Sequence, residues 1–551
     1  MRMLKEAKMK MRLIKQIIFI LSLIFVHFLS GQTDRTAENA VMQLDFCSKI
    51  DDYFIKNQSK KFHSSFKPYL YLTLREYQDS ISNIGSFPVD HHYFLQKTIF
   101  QKPNYRSSLS VQVLPVIDLQ GGFDLLRNNF VSEKSGGIYL RKDINHDFSA
   151  ALTVSGGINS YPVFTDTIIK NLSIIPGQGL AYGNNNEYQW ANLNGYISYT
   201  PKSLFNFQLG KDKHFIGDGY RSLLLSDVAN NYPYFRSSIN IWNIQYSCWY
   251  SWFRDIYNSE GKKANFLNRF GTFHYLSWNI NEKINLSLFE TIIFQGTDSN
   301  RVRQFDVNYL NPIIFFRPVE YSLGSSDNAL IGLNFSWKFQ KKFKFYAQAV
   351  ADEFYLKEIK NRRGWWANKQ GFQLGLKAVD LFSIKNLSLQ AEFNTVRPYT
   401  YSHGSPQQSY THFNQPLAHP FGANFYEGVG IIGFKHKNWA LNLKVVYANI
   451  GMDTVGSLTS MGQNLFLSYL NRPQLSNGNP SDFGHYTGQG VKTDFFQSDL
   501  KFTYYLKPEI NLRIELGYIQ TNLSNELGFV RQAPFVYLGL KSSMNNFYRD
   551  F

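Results

Sequence analysis

The stretch Leu330–Val350, LIGLNFSWKFQKKFKFYAQAV, decides the fold class of this chain. In its first half Leu333, Phe335 and Trp337 alternate with polar residues, and the second half repeats the pattern. An apolar residue at every second position is typical of a β-strand with one apolar and one polar face. The join Phe339–Lys342 is short enough for a hairpin turn. The stretch therefore predicts a β-hairpin.

The same paired unit recurs along most of the chain. The other predicted pairs are Gly136–Lys142 with Phe148–Gly156, Glu187–Tyr199 with Leu204–Gly210, Arg236–Ile241 with Ile244–Trp252, Phe273–Asn279 with Ile284–Phe294, Phe372–Val379 with Leu387–Thr395, Gly428–Lys435 with Trp439–Ala448, and Asp499–Tyr505 with Ile510–Tyr518. With a first strand near Leu109–Leu119 and a last strand at Phe535–Lys541, the sequence predicts about 18 strands, an even number.

The connections differ in length in a regular way. A few polar residues close each pair, whereas long segments such as 296–327 and 449–493 separate successive pairs. Short turns at one end and long loops at the other are typical of an antiparallel outer-membrane β-barrel. Charged residues within predicted strands, such as Glu392, Arg513 and Glu515, are expected to face the interior, since charge facing lipid is costly. The chain ends in FYRDF, and a terminal aromatic is typical of a last barrel strand.

The N-terminal part is not strand-like. Residues 1–31 combine six basic residues with an apolar run from Ile17 to Leu29 and small residues at 30–31, which predicts a signal peptide. Residues 32–105 are predicted to form a periplasmic segment that packs under the barrel or plugs it, with a helix whose apolar side includes Phe46 and Ile50. Residues 106–551 are predicted to form the barrel. The mature protein, without its signal peptide, is therefore predicted to lie in the outer membrane.

Composition agrees with this architecture. Aromatic residues make up 17% of the chain, more than soluble proteins usually need, and membrane barrels use aromatics in a lipid-facing band and two girdles. Cys47 and Cys248 provide no disulfide framework and are interpreted as unpaired thiols. The net charge of +16 falls to +11 without residues 1–31, which carry six basic and one acidic residue. That excess suits an acidic polysaccharide or anionic lipid headgroups, or it simply solvates the barrel.

Three long connections carry the candidate ligand-binding residues. They are GKDKHFIGDGYRS (Gly210–Ser222), YLNPIIFFRPVEYSLGSSDN (Tyr309–Asn328) and YTHFNQPLAHPFGANFYE (Tyr410–Glu427). The candidates within them, predicted to lie at the barrel mouth, are Lys211, Asp212, Lys213, His214, Asp218, Arg221, Asn311, Arg317, Glu320, Asp327, His419 and Asn424. An ion-pair network between Arg317, Glu320 or Asp327 and the first loop is one possible arrangement.

Motifs for enzymatic chemistry are absent from the sequence. It contains neither a GxSxG nor an HExxH motif, and His412 and His419 do not have the spacing of a zinc helix. We therefore predict no catalytic residues, no metal site and no cofactor. Polar, aromatic loops suit sugar binding, with Trp365 and Trp366 as candidates for stacking, although an interfacial girdle explains the same residues equally well.

The three loops resemble those of the capsule-assembly Wzi-like outer-membrane proteins of gliding and related Gram-negative bacteria. The likeness is carried by GKDKHFIGDGYRSLLLSD, YLNPIIFFRPVEYSLGSSDNALIGLN, QPLAHPFGANFYE and the N-terminal FHSSFKPYL. It implies a barrel with a helical periplasmic part that holds capsular polysaccharide at the cell surface. The gliding-motility members of the group imply contact with gliding or type IX secretion components instead.

Three functions follow as hypotheses. The first is a non-enzymatic barrel that assembles or anchors surface polysaccharide, with outer-membrane lipid or lipopolysaccharide and an acidic polysaccharide as partners. The second is a structural partner of the gliding and secretion apparatus. The third is a passive channel or transporter. Nucleic acid is not expected as a partner, because the basic residues are scattered and the chain is predicted to be exported.

Overall fold

The structure is a computed structural model of the 551-residue chain. It describes residues 37–40, 42–74, 77, 111–144, 147–201, 204–259, 261–298, 301–302, 307–314 and 327–551. The predicted signal peptide lies outside the described residues, and so does most of the stretch between Leu74 and Val111. Within the described part of the chain, no helix is long and apolar enough to cross a membrane.

Eighteen antiparallel strands form one closed barrel. They are β1 Gln112–Asp124, β2 Asn129–Asp143, β3 Phe148–Asn159, β4 Glu187–Tyr199, β5 Phe205–Asp212, β6 Tyr232–Ile241, β7 Ile244–Asp255, β8 Leu267–Asn279, β9 Ile284–Gln295, β10 Asn328–Phe339, β11 Phe343–Glu353, β12 Lys369–Val379, β13 Leu387–Val396, β14 Phe425–His436, β15 Trp439–Met452, β16 Val491–Lys507, β17 Leu512–Asn525 and β18 Val530–Lys541. Each pairs with its neighbour in sequence, and β18 returns to β1 in a register that sets Lys541 opposite Asp118. The predicted fold is confirmed.

The remaining elements are short. The helices are α1 Leu44–Lys56, α2 Tyr71–Leu74, α3 Val163–Leu172 and α4 Leu356–Asn361. Two-residue strands at Phe66–Lys67 and Phe215–Ile216 pair with each other, and the strand Tyr182–Asn184 pairs with the start of β4. The other short strand pairs are Ile174–Ile175 with Gly179–Leu180, Thr297–Asp298 with Arg301–Val302, and Thr411–His412 with Gln415–Pro416.

Two details of the sequence prediction are wrong. The long-loop end also has short connections, at 125–128 and 526–529, so the alternation of loop lengths is not strict. Strands β2 and β16 begin well before the predicted Gly136 and Asp499, because their polar outer halves lack the apolar alternation that the prediction relied on.

Side chains alternate between the lumen and the outside along each strand. On β17, Ile514, Leu516 and Tyr518 are exposed, while Arg513 and Glu515 are buried inside, as the sequence predicted. Exposed Leu, Ile and Phe side chains recur on the outward faces of the other strands. An apolar belt of this kind is what a lipid bilayer requires of a spanning barrel.

The lumen is filled by the chain itself. The plug segment, residues 37–74, places α1 against the inner wall, and its apolar residues Phe46, Ile50 and Phe54 are buried. Their four-residue spacing places them on one side of α1, and Asp45 and Lys56 lie at the ends that the helix dipole favours. The described part of the N-terminal segment thus contacts inward-facing residues of the wall, while the predicted bounds and role of the whole segment 32–105 stay a prediction.

A hydrophobic core lies inside the barrel. The inserted loop, residues 213–231, brings Leu223, Leu224 and Leu225 into the lumen, where they meet inward-facing aromatics of the wall. Phe66 of the plug segment joins the same core. Wall members of this core include Tyr234, Trp249, Phe273, Tyr275 and Phe289, each almost fully buried. The aromatic richness of the sequence therefore serves the lumen as well as the outer surface, which the girdle interpretation did not foresee.

The C-terminal tail, residues 542–551, also enters the lumen. After β18 ends at Lys541, Tyr548 and Asp550 become buried between the plug segment and the inserted loop. Tyr548 donates a hydrogen bond to Asp227 at 2.8 Å. Phe551 lies ten residues beyond the last strand, so the terminal aromatic does not end that strand, and FYRDF belongs to the C-terminal tail.

Candidate functional site

Charge complementarity attaches the plug segment to the barrel wall. Lys344 of β11 faces the lumen and lies 2.9 Å from Asp51 of α1 and 2.6 Å from Asp218 of the inserted loop. Lys377 of β12 lies 2.6 Å from the other oxygen of Asp51. Ser64 donates a hydrogen bond to Asp218, so wall, plug segment and inserted loop meet at one point.

These carboxylates are buried and stay ionised. Burial alone would raise the pKa of Asp51, but the charges of Lys344 and Lys377 outweigh it and hold that pKa below its usual value. The pKa of Asp218 is likewise lowered, since Lys344 outweighs the effect of burial. Removing one member of such a buried group leaves an uncompensated charge, which typically costs about 3–5 kcal/mol.

A second network fixes the C-terminal tail. Arg221 of the inserted loop lies 3.0 Å from Glu427 of β14 and 3.1 Å from Asp550 of the tail. Lys444 of β15 lies 2.8 Å from Asp550, and Tyr220 donates a hydrogen bond to the same carboxylate at 2.6 Å. Every side chain here except that of Lys444 is almost fully buried.

Opposite charges in this second network keep Asp550 and Arg221 ionised although both are buried. Burial would raise the pKa of Asp550, yet Arg221 and Lys444 hold it well below its usual value. Burial would lower the pKa of Arg221, but Asp550 and Glu427 raise it above its usual value. Burial lowers the pKa of His419 despite the neighbouring Glu427, so the ring is neutral and donates its Nε2 hydrogen to that carboxylate at 2.7 Å.

The start of the plug segment is fixed on the opposite side of the lumen. Glu38 forms an ion pair of 2.5 Å with Arg141 of β2. Asn39 exchanges hydrogen bonds with Gln208 of β5 at 3.1 and 2.7 Å. The guanidinium of Arg236 lies 5.4 Å from the ring centre of Phe66. The plug is thus held by contacts around the wall and is not tethered at one point.

The predicted residues of the first loop lie inside this structure and not at an open mouth. Lys213 is buried and donates to the carbonyls of Gly177 and Asp227, both at 2.9 Å, and burial lowers its pKa to about 8. His214 is buried against Phe66 and Trp249. Asp218 and Arg221 belong to the two networks above. Lys211 and Asp212 end β5, where both are half-buried.

The other predicted residues divide between structural contacts and undescribed positions. Asp327 is buried and accepts hydrogen bonds from Tyr309 and Gln408. The side chain of Asn311 accepts the backbone N–H of Ile313. Asn424 is buried and donates to the carbonyls of Gly451 and Gln489. Arg317 and Glu320 lie outside the described residues, and the ligand-binding role of the whole set stays a prediction.

Sequence reasoning missed the residues that complete the networks. Lys344, Lys377 and Lys444 were assigned to strands, and Asp51 and Asp550 were not singled out. One signal was available: inward-facing lysines recur on neighbouring strands, and a helix with consecutive aspartates at 51–52 precedes the barrel. Acidic residues outside the strands are natural partners for a basic inner wall.

The described outer loops present a second, more accessible group, which we call the outer aromatic surface. It comprises Tyr355, Trp365, Trp366, Tyr469, Phe483 and Tyr486, from the loops at 354–368 and 453–490. Trp366 and Tyr469 have ring centres 4.6 Å apart, and the Arg472 guanidinium lies 3.9 Å from the Trp366 ring centre. Trp365 adjoins both Trp366 and Tyr355.

Part of this surface is open to solvent and carries positive charge. Tyr355, Phe483 and Tyr486 are 45–52% exposed. The loop at 354–368 adds the exposed cations Lys357, Lys360, Arg362 and Arg363. Arg363 also stacks over Phe483 at 4.3 Å. Aromatic faces beside exposed cations can stack on sugar rings and attract carboxylates or phosphates.

Within the described residues, no group of three or more His, Cys, Asp and Glu side chains could hold a metal ion. Cys47 and Cys248 are both buried and are not joined in a disulfide, in agreement with the sequence interpretation that they provide no disulfide framework. Burial raises the pKa of the Cys47 thiol to about 12, which makes it a poor nucleophile.

Comparison with known proteins places the fold. No family model and no curated protein sequence matches the chain. Among solved structures, the chain is similar to Wzi of Escherichia coli, described as an outer-membrane protein involved in group 1 capsule assembly and a carbohydrate-binding β-barrel. That match has a TM-score of 0.56 at 12% identity and covers 92% of this chain and 99% of Wzi. Pseudomonas aeruginosa OprD matches with a TM-score of 0.41 at 8% identity, over 78% of this chain and 94% of OprD. The chain therefore has the fold of an outer-membrane β-barrel.

Proposed function

We propose that this chain is a non-enzymatic outer-membrane barrel that anchors or assembles acidic surface polysaccharide through its outer loops. The filled lumen carries the proposal. The plug segment, the inserted loop and the C-terminal tail occupy the space that a channel would need, and buried ion pairs hold them there. A barrel with a filled lumen is expected to bind its ligand at the outer loops and not to pass it through the lumen.

The outer aromatic surface supports a glycan as the ligand. Tyr355, Phe483 and Tyr486 offer exposed rings, and the neighbouring cations would attract an acidic chain. The chain shares its fold with Wzi, which is described as a carbohydrate-binding β-barrel, and this makes a carbohydrate the first ligand to test. The predicted barrel-mouth residues, including Arg221 and Asp218, are proposed here to act by fixing the plug that supports the outer loops.

Binding of polysaccharide tests this proposal. The mature barrel in detergent is titrated with surface polysaccharide from its own host, with a triple variant Tyr355→Ala, Phe483→Ala and Tyr486→Ala beside it. Each aromatic contact contributes about 0.5–1.5 kcal/mol, so the triple variant is expected to bind roughly tenfold more weakly or worse. Added salt weakens binding of an acidic glycan.

The matched control removes two exposed aromatics at the opposite end of the barrel. Trp242 and Phe382 lie in short turns and are 96% and 83% exposed. The variant Trp242→Ala, Phe382→Ala is expected to bind like the wild type. Equal loss in both variants, or no binding by the wild type, would refute the outer aromatic surface as a glycan site.

A role in gliding motility or type IX secretion is the alternative. Its support is the resemblance of the loop sequences to gliding-motility members of the Wzi-like group, such as RemB. It predicts that the barrel co-purifies with envelope components of that apparatus and that a deletion strain spreads poorly. Normal spreading together with altered capsule would favour the polysaccharide role.

A further inference from the structure

A cleft opens at the short-turn end of the barrel, on the side away from the outer aromatic surface. It lies between α1 and the inner ends of β12 to β16 and has a volume of about 700 Å³. Small-molecule sites in proteins are typically about 300–1,000 Å³. The cleft is therefore large enough for a ligand, and the plug segment forms one of its walls.

The cleft is rich in lysine. Lys49 and Lys56 enter it from α1, and Lys385, Lys435 and Lys437 enter it from the barrel. The carboxylates that line it are Asp45, Asp52 and Asp380. Lys56 and Asp380 form an ion pair of 2.8 Å, so the remaining four lysines face two aspartates. The cleft keeps an excess of positive charge.

Two of these ammonium groups converge on one aromatic ring. The Nζ atoms of Lys435 and Lys49 lie 5.1 and 5.9 Å from the ring centre of Tyr505. The Lys435 Nζ atom is buried and has no hydrogen-bond acceptor within the described part of the chain. A buried ammonium without an acceptor costs free energy, and a negatively charged ligand would remove that cost.

The two lysines also interact electrostatically. Burial lowers the pKa of Lys49, and the nearby charge of Lys435 lowers it further, while Asp45 and Asp52 act in the opposite direction. The two side chains repel each other when both are charged, and an anion placed between them would attract both. Polar side chains around them, Ser48, Asn442 and Asn438, can complete its hydrogen bonds.

We propose that this cleft is an anion-binding site for a small ligand with two or more charged oxygens, held by Lys49 and Lys435 beside Tyr505. Such a ligand carries either phosphate groups or sugar carboxylates. Because the cleft lies at the end opposite to the outer aromatic surface, this site and the proposed glycan site can fail or succeed separately.

Calorimetric titration of the mature barrel in detergent tests the site. The barrel, in a phosphate-free buffer of low salt, is titrated in parallel with inorganic diphosphate and with glucuronate. The variant Lys435→Met is expected to bind at least tenfold more weakly, and Lys49→Met provides a second, independent loss. Lys341→Met is the control, since Lys341 is an exposed lysine in a short turn outside the cleft.

A stability measurement separates binding from a structural role. Without ligand, Lys435→Met is expected to melt no lower than the wild type, because the change removes an ammonium that has no acceptor. With diphosphate or glucuronate, whichever binds, the melting temperature rises for the wild type and for Lys341→Met but not for Lys435→Met. Preference for diphosphate identifies phosphate chemistry, and preference for glucuronate identifies a sugar acid. Absence of binding by the wild type, or equal binding by Lys435→Met, overturns the proposal.

Discussion

Single residues with buried charge hold this barrel's interior in place. Arg221 links the inserted loop to Glu427 of the wall and to Asp550 of the tail, and its own side chain is 1% exposed. Sequence motifs placed Arg221 among ligand-binding candidates because it lies in a polar loop. Its contacts inside the barrel depend on chain segments more than 200 residues away, which no local pattern reveals.

Replacing Arg221 with Met is expected to lower the free energy of unfolding by about 3–5 kcal/mol, since the buried carboxylates of Glu427 and Asp550 each lose one cationic partner. Urea unfolding of the refolded barrel measures this. Lys170→Met is the control: Lys170 also pairs with an aspartate, Asp166, but is 53% exposed. An exposed pair contributes only about 0–1 kcal/mol. Equal effects of the two substitutions would contradict the buried network.

Acid should weaken the attachment of the tail. The folded pKa of Asp550 lies below the unfolded value of about 3.9, so its contribution to stability is complete above that pH and is lost as the pH falls further. The melting temperature is expected to change little in this respect between pH 7 and pH 5. The variant Asp550→Asn is expected to have a lower melting temperature than the wild type at pH 7, and this difference in melting temperature is expected to shrink below about pH 4. A difference that is constant with pH would contradict this assignment.

At the scale of elements, the strands and the helix α1 could be predicted from the sequence, whereas the positions of the inserted loop and the C-terminal tail could not. Alternation along β10 and β11 predicts both strands because each residue's face follows from its position in the strand. The predicted apolar residues of α1, Phe46 and Ile50, are indeed buried. The tail at 542–551 and the inserted loop at 213–231 have no such periodicity, and their places depend on partners distant in sequence.

A glycine on the wall tests how tightly these elements fit. Gly375 of β12 lies directly opposite Tyr346 of β11, and a Cβ atom at this position would overlap the Tyr346 ring. Tyr346 donates to Glu392, which accepts backbone hydrogen bonds from Tyr220 and Arg221 of the inserted loop. Gly375→Ala is expected to cost about 1–3 kcal/mol by overpacking.

Overpacking at Gly375 should displace Tyr346 and loosen the inserted loop that Glu392 holds. Hydrogen exchange followed by mass spectrometry should therefore show faster exchange across residues 213–231 in Gly375→Ala. Gly430→Ala is the control, because a Cβ atom at Gly430 meets no other atom within 4 Å. Faster exchange in both variants, or in neither, would contradict the role of the Tyr346–Glu392 contact.

At the scale of the whole molecule, the barrel is a closed platform. Its outer wall is apolar, its lumen contains a hydrophobic core and buried ion pairs, and the outer aromatic surface with its exposed cations lies on the outer loops. This arrangement supports a function at the surface rather than passage through the lumen.

Electrical conductance in a planar bilayer tests this closed platform most directly. The intact mature barrel is expected to be nearly silent, because its own chain fills the lumen. The quadruple variant Asp51→Asn, Asp218→Asn, Arg221→Met and Asp550→Asn disrupts the two buried networks centred on Lys344 and Arg221, and it is expected to show frequent openings. Steady, porin-like conductance by the intact barrel would contradict the account.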